Sequence, residues 1–173
     1  MTPRVVLVGL PGAGKTTSGR RLAKILAVPF ADSDDLVEAA DGRTVRDIFA
    51  ESGEAVFRAA ECAAITTALT HFDGVLALGG GALTHPDTRD AVRASGVPVV
   101  VLRAALETLG VRVGDGRSRP LLAADPAGGL ARLETERTPL YEEIADVTVD
   151  TDGRTPGQIA ATVAARLHDG GRL

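Results

Sequence analysis

The sequence predicts an α/β fold: a five-stranded parallel sheet flanked by helices. Three observations carry the prediction. Short apolar, β-branched runs alternate with longer stretches at helical spacing, as βαβ units require. Four of the five runs empty into turns rich in glycine or aspartate, where an open parallel sheet gathers its ligand-binding loops. The chain has 173 residues, 45% of them hydrophobic and 24% charged, which suits one domain with one well-buried core.

The elements follow in order. Arg4–Val8 is the first strand, since its four consecutive apolar residues suit a strand covered on both faces. It runs into Gly9–Thr17, and a helix over Lys15–Ala27 follows with Leu22, Ala23, Ile25 and Leu26 inward. The second strand, Val28–Ala31, ends at Asp32-Ser33-Asp34-Asp35. Helices are expected over Asp34–Ala40, Val45–Ala50 and Glu54–His71. Gly74–Leu78 is the third strand and stops at Gly79-Gly80-Gly81. Helix Asp87–Ala94, strand Val97–Leu102 and helices Ala105–Val113 and Gly128–Ile144 come next. The last strand, Val147–Val149, leads through Asp150–Gly157 into helix Pro156–His168.

Bulk properties exclude several function classes. The net charge is −4 and no long basic run exists, which argues against a nucleic-acid or membrane partner. No apolar stretch is long enough to span a bilayer, no secretory signal is visible, and the single cysteine, Cys62, excludes an internal disulfide. A cytoplasmic location is expected. Lys15 and Lys24 are the only lysines in an arginine-rich chain, so Lys15 stands where a compact ammonium is wanted.

The segment Gly9-Leu10-Pro11-Gly12-Ala13-Gly14-Lys15-Thr16-Thr17 matches G-x-x-x-x-G-K-[ST], a phosphate-binding loop. Its glycines let backbone N–H groups turn toward anionic oxygens, and the following helix aims its positive end at them. Lys15 brings a mobile charge to the β- and γ-phosphates, and Thr16 offers a hydroxyl to Mg²⁺. Asp32 and Asp34 would point the same way if the strand continued through them, one toward a metal and one toward an acceptor. The alternative is a helix cap, for which Asp35 alone would serve.

Glu54, Arg58 and Glu61 share a helical face. That pattern reads either as a surface ion-pair ladder or as a guanidinium held ready for a substrate carboxylate. Gly79-Gly80-Gly81 suits either a flexible turn or a close approach of ligand to bare backbone. Arg117 and Arg119 lie in a Gly- and Pro-punctuated loop, which is either a lid over a triphosphate or a solvated basic loop. Arg137 shows nothing distinctive on the bare sequence. His71, His85 and His168 have no metal-ligand spacing and are expected to face solvent.

With these motifs in place, the chain resembles the shikimate kinase family over nearly its whole length. The resemblance rests on Gly9–Thr17, Asp32–Asp34, Gly53–Glu61, Gly79–Ala82, Arg119–Leu122 and Arg137–Tyr141. It implies a P-loop, nucleoside-monophosphate-kinase-like fold with a mobile lid over about 112–125 and an acceptor-binding segment over about 33–62. It further implies transfer of the ATP γ-phosphate to the 3-hydroxyl of shikimate, on the route to chorismate and the aromatic amino acids. Carried over by motif, Gly12, Ala13, Gly14, Lys15, Thr16 and Thr17 would hold ATP, with Arg119 from the lid and Arg154 and Pro156 beside adenine. Thr16 and Asp32 would hold Mg²⁺. Asp34, Arg58, Gly80, Gly81 and Arg137 would bind shikimate, and Lys15, Asp34 and Arg119 would be catalytic. A second nucleotide-contacting arginine would be Arg112 or Arg117. A monomer is expected.

Overall fold

The computed structural model describes residues 1–114 and 125–169. The chain runs β1 (Val5–Val8), α1 (Lys15–Leu26), β2 (Phe30–Asp32), α2 (Ser33–Asp41), α3 (Val45–Ser52), α4 (Glu54–His71) and β3 (Val75–Ala77). A 3-10 turn (Ala82–Thr84) then leads into α5 (Pro86–Ser95), β4 (Val99–Arg103), α6 (Leu106–Val113), α7 (Pro126–Ile144), β5 (Val147–Asp150) and α8 (Pro156–Asp169). Arg117 and Arg119, and with them most of the expected lid, lie outside the described residues.

The five strands form one parallel sheet in the order β2-β3-β1-β4-β5. β1 lies at its centre between β3 and β4, and every residue of Val5–Val8 is at most 2% exposed. The run of three valines and one leucine is apolar throughout because helices leave neither face to water. From β1 the chain departs toward β2, and from the adjacent β3 it crosses to β4. A crevice therefore opens at the carboxyl ends between β1 and β3. The loops there are Gly9–Gly14 and Gly79–Gly81.

Helix α1 packs along α8, and Ser18, Gly19, Leu22 and Ala23 form its buried side. Ile25, expected inward, is 52% exposed, because the 3.6-residue period turns it away from that stripe. Gly19 sits against Phe30, where an added Cβ would come within 3.1 Å of Leu7 Cδ1.

Helices α2, α3 and α4 carry a small second core of Val37, Ile48 and Phe57, with the Phe49 ring 4.8 Å from that of Phe57 and tilted 43° to it. This core lies within the expected acceptor segment and fixes the start of α4 relative to α2.

Candidate active site

The phosphate loop is shaped by backbone conformations that exclude side chains. Gly12 and Gly14 have φ of 83° and 92°, and a Cβ at Gly12 would meet Val113 Cγ2 at 3.0 Å. Ala13 is fully buried and contributes backbone only, its N–H donating to the Leu10 carbonyl at 3.1 Å. The Lys15 ammonium donates to the carbonyls of Gly9 (2.7 Å) and Leu10 (3.2 Å), which holds it over the loop. Gly12, Gly14, Lys15, Thr16 and Thr17 line a cavity of about 330 Å³ together with Asp32, Asp34, Leu78, Gly79, Gly80 and Arg112. The cavity brings the two glycine loops and the acidic turn to one place.

The acidic turn differs from the expected strand geometry. Strand β2 ends at Asp32, one residue beyond the expected Ala31, and α2 begins at Ser33, one residue before the expected Asp34. Asp34 is therefore in the first helical turn, and a helical bend, not strand alternation, aims it into the crevice. The cap is Asp32, whose Oδ1 accepts from the Asp34 N–H at 3.2 Å. Its Oδ2 accepts from the Thr16 hydroxyl at 2.9 Å. Asp35 is not the cap; it is exposed and lies 3.9 Å from Arg20.

Asp34 is half-buried and its pKa is raised to about 6. Burial is the main cause, and the negative charges of Asp32 and Glu61 add to it, while Lys15 and Arg58 oppose it.

The Glu54–Arg58–Glu61 face is not a surface ladder. Glu61 is 1% exposed and its Oε2 accepts from Arg58 at 2.5 Å, whereas Glu54 pairs with Arg58 from the solvent side at 3.4 Å. Burial raises the Glu61 pKa, and Arg58 is the strongest opposing influence. The second Glu61 oxygen accepts from the buried Ser33 hydroxyl at 3.1 Å, and that hydroxyl accepts from the Gly79 N–H at 2.8 Å. One serine thus ties α2, α4 and the glycine loop together.

Arg137, which nothing distinguishes on the bare sequence, is 4% exposed on α7, which continues through Pro139. Its Nε is buried without a hydrogen-bond partner, and among the described residues no carboxylate pairs with it. Burial pulls its pKa below the usual arginine range, and Arg58 pulls it the same way. Both guanidiniums converge on Gly81. A Cβ there would come within 2.6 Å of Arg58 Cζ and 2.9 Å of an Arg137 terminal nitrogen. A Cβ at Gly80 would lie 3.2 Å from the other Arg137 terminal nitrogen. Two cations over a glycine backbone, one lacking a carboxylate, are an arrangement whose chemistry suits the carboxylate of an organic acid.

Arg112 donates to the carbonyls of Gly12 (3.2 Å) and Thr151 (3.0 Å) and to the Thr151 hydroxyl (2.9 Å). Of the two arginines left open by the sequence, Arg112 is thus seated on the loop's edge and brings the β5–α8 turn beside it. Arg154 and Pro156 are exposed in and after that turn and do not line the cavity. Of the histidines, His71 and His168 are exposed, but His85 is half-buried at the start of α5 with its Nδ1 unpartnered.

Two site residues escaped the sequence reading. Ser33 lay inside a quoted motif but carried no role. Tyr141 is 3% exposed, and its hydroxyl donates to the Gly80 carbonyl at 2.5 Å. It is the chain's only tyrosine, in a sequence with 3% aromatic residues, and that rarity was the available signal.

The chain is similar to known proteins over nearly its whole length. The family model for shikimate kinase matches residues 11–168. A shikimate kinase of Salinispora tropica is 50% identical over 167 residues, covering 96% of this chain and 99% of that protein. One from Mycobacterium avium is 47% identical over 169 residues, covering 96% and 94%. Among solved structures, a shikimate kinase from Acinetobacter baumannii in complex with shikimate superposes with a TM-score of 0.93 at 34% identity, covering 98% of this chain and 94% of that one.

Proposed function

The chain belongs to the shikimate kinase family, and from that premise we propose that it transfers the γ-phosphate of ATP to the 3-hydroxyl of shikimate. The product, shikimate 3-phosphate, leads toward chorismate and the aromatic amino acids. The observation that carries this reading is the convergence of Arg58 and Arg137 on Gly81, beside the Asp34 carboxylate. An acid group and a hydroxyl on one small molecule are what such a pocket can hold.

In the proposed reaction the shikimate hydroxyl oxygen bonds to the γ-phosphorus as the bond to the β,γ-bridging oxygen breaks. ADP leaves, and the hydroxyl proton passes to Asp34. With a pKa of about 6, Asp34 is ionised at neutral pH and near enough to it to accept a proton. Arg58 and Arg137 hold the acid group, which orients the hydroxyl toward the donor. Lys15 offsets charge on the phosphates, aided by the loop N–H groups. Arg119 is proposed to join them from the lid over about 112–125, and Arg154 and Pro156 to flank adenine. The acceptor segment is proposed to span about 33–62.

The Thr16 hydroxyl and Asp32 carboxylate, 2.9 Å apart, are the hard oxygen donors that Mg²⁺ favours. Mg²⁺ takes few protein ligands beside phosphate oxygens, so this pair fits it, and when bound it would neutralise charge on the β- and γ-phosphates. We further propose that the protein acts as a monomer in the cytoplasm. No described helix is long and apolar enough to cross a membrane.

The test is ADP release with shikimate, gluconate or a nucleoside monophosphate as acceptor. Shikimate alone should stimulate release. Equal or greater stimulation by gluconate would overturn the assignment.

A further inference from the structure

The Gly79–Gly81 run has three backbone carbonyls, and they are held differently. The Gly79 carbonyl accepts from Ala82 N–H at 3.0 Å. The Gly81 carbonyl accepts from the Thr84 N–H at 3.0 Å and its hydroxyl at 2.6 Å. The Gly80 carbonyl instead accepts from a distant side chain, Tyr141 on α7, at 2.5 Å. A peptide between two glycines has no side chain to oppose its rotation. The bond is trans and planar, so the Gly80 carbonyl and Gly81 N–H point in opposite directions within one plane. Gripping the carbonyl therefore sets the direction of the N–H at the glycine on which Arg58 and Arg137 converge.

Tyr141 lies one helical turn beyond Arg137, and the Arg137 guanidinium approaches the same hydroxyl. We propose that Tyr141 is a positioning residue for the acid-binding half of the site, orienting the Gly80–Gly81 peptide and Arg137 together. The proposal rests on the reading of shikimate as acceptor. Burial keeps the phenol neutral, with a pKa pushed up to about 12, so it stays a donor at any working pH.

The test compares the wild type with Tyr141→Phe, which removes only the hydroxyl. The KM for shikimate should rise about tenfold or more, as for a buried acceptor left unpaired, with the KM for ATP and kcat changed less than about threefold. In an Arg137→Ala background the same substitution should cost less than it does in the wild type, because part of its effect runs through that arginine and the rest through the Gly80–Gly81 peptide. Tyr141 is the only tyrosine and there is no tryptophan, so tyrosine fluorescence reports on the surroundings of this one side chain. Saturating shikimate should change it in the wild type and not in Arg137→Ala.

A shikimate KM within about twofold of wild type, or a parallel loss for both substrates with a lower Tm, overturns the proposal. Should Tyr141→Phe fail to fold, replacing the lone tyrosine by 3-fluorotyrosine keeps the shape and alters the donor. Unchanged shikimate affinity then overturns it as well. A wild type with no shikimate-dependent ADP release sinks the substrate reading itself, whereas an active wild type with an indifferent Tyr141→Phe sinks only this proposal.

Discussion

The phosphate loop and the proposed acid-binding pocket are built on opposite plans. The loop is nine consecutive residues set by backbone conformation: positive φ at Gly12 and Gly14, and one lysine folded over the carbonyls of Gly9 and Leu10. The pocket draws Asp34 from α2, Arg58 and Glu61 from α4, Gly80 and Gly81 from the loop after β3, and Arg137 and Tyr141 from α7. Its function resides in side chains held against desolvation. The contrast teaches that a local device can be read from spacing, while a charged receptor depends on partners far away in the chain.

The largest expected effect tests the loop. Lys15→Ala should lower kcat by about 10³-fold or more while shikimate still binds, because the charge it supplies faces the phosphates. Loss of shikimate affinity of the same size, measured by titration without nucleotide, would show that the two halves are not separable.

The next pair tests the pocket from within. Arg58→Ala and Arg137→Ala should each weaken shikimate binding by about 2–5 kcal/mol, with little change for ATP. Their stabilities should differ. Arg58→Ala strands Glu61, 1% exposed, as an unpaired charge and should cost about 3–5 kcal/mol in denaturant unfolding. Arg137→Ala removes a buried cation that lacks a carboxylate, so it should cost far less. Equal destabilisation would mean that Arg137, like Arg58, neutralises a buried carboxylate.

Gly81→Ala should follow, with shikimate affinity reduced about tenfold, since its methyl would displace both guanidiniums. Gly12→Ala, strained at φ 83° and close to Val113, should instead weaken nucleotide binding. A swap of these two outcomes in isothermal titration would break the division between donor and acceptor halves.

The smallest effect concerns stability and pH. The Asp34 carboxyl holds its proton more tightly folded, with a pKa of about 6, than at its ordinary 3.8. Stability from this group is full below about pH 4, declines as pH rises through 6, and is absent above. Asp34→Asn should therefore abolish turnover yet stabilise the fold at pH 7.5 by on the order of 1–3 kcal/mol, with little gain at pH 4. The wild-type rate should fall below about pH 6 as Asp34 protonates. An Asp34→Asn protein less stable than wild type at pH 7.5 would show that the carboxylate is favourably solvated in the pocket.

By itself the sequence determined the parallel sheet and the loop that follows β1. Val5–Val8 admits few environments other than a strand covered on both faces, and Gly12, Gly14 and Lys15 have their meaning at fixed offsets. Periodicity also located Arg58 beside Glu61, because three residues along a helix is a geometric statement. Whether that pair was a surface ladder or a buried anchor depended on what covers α4, and only the tertiary structure decided it. The same holds for Asp32 as cap rather than Asp35, for Arg137, which no local pattern distinguished and family resemblance alone assigned, and for Tyr141, whose partner is 61 residues away. The reason is physical. Backbone shape follows from local sterics, but the charge state and aim of a buried side chain follow from the solvent that other segments exclude.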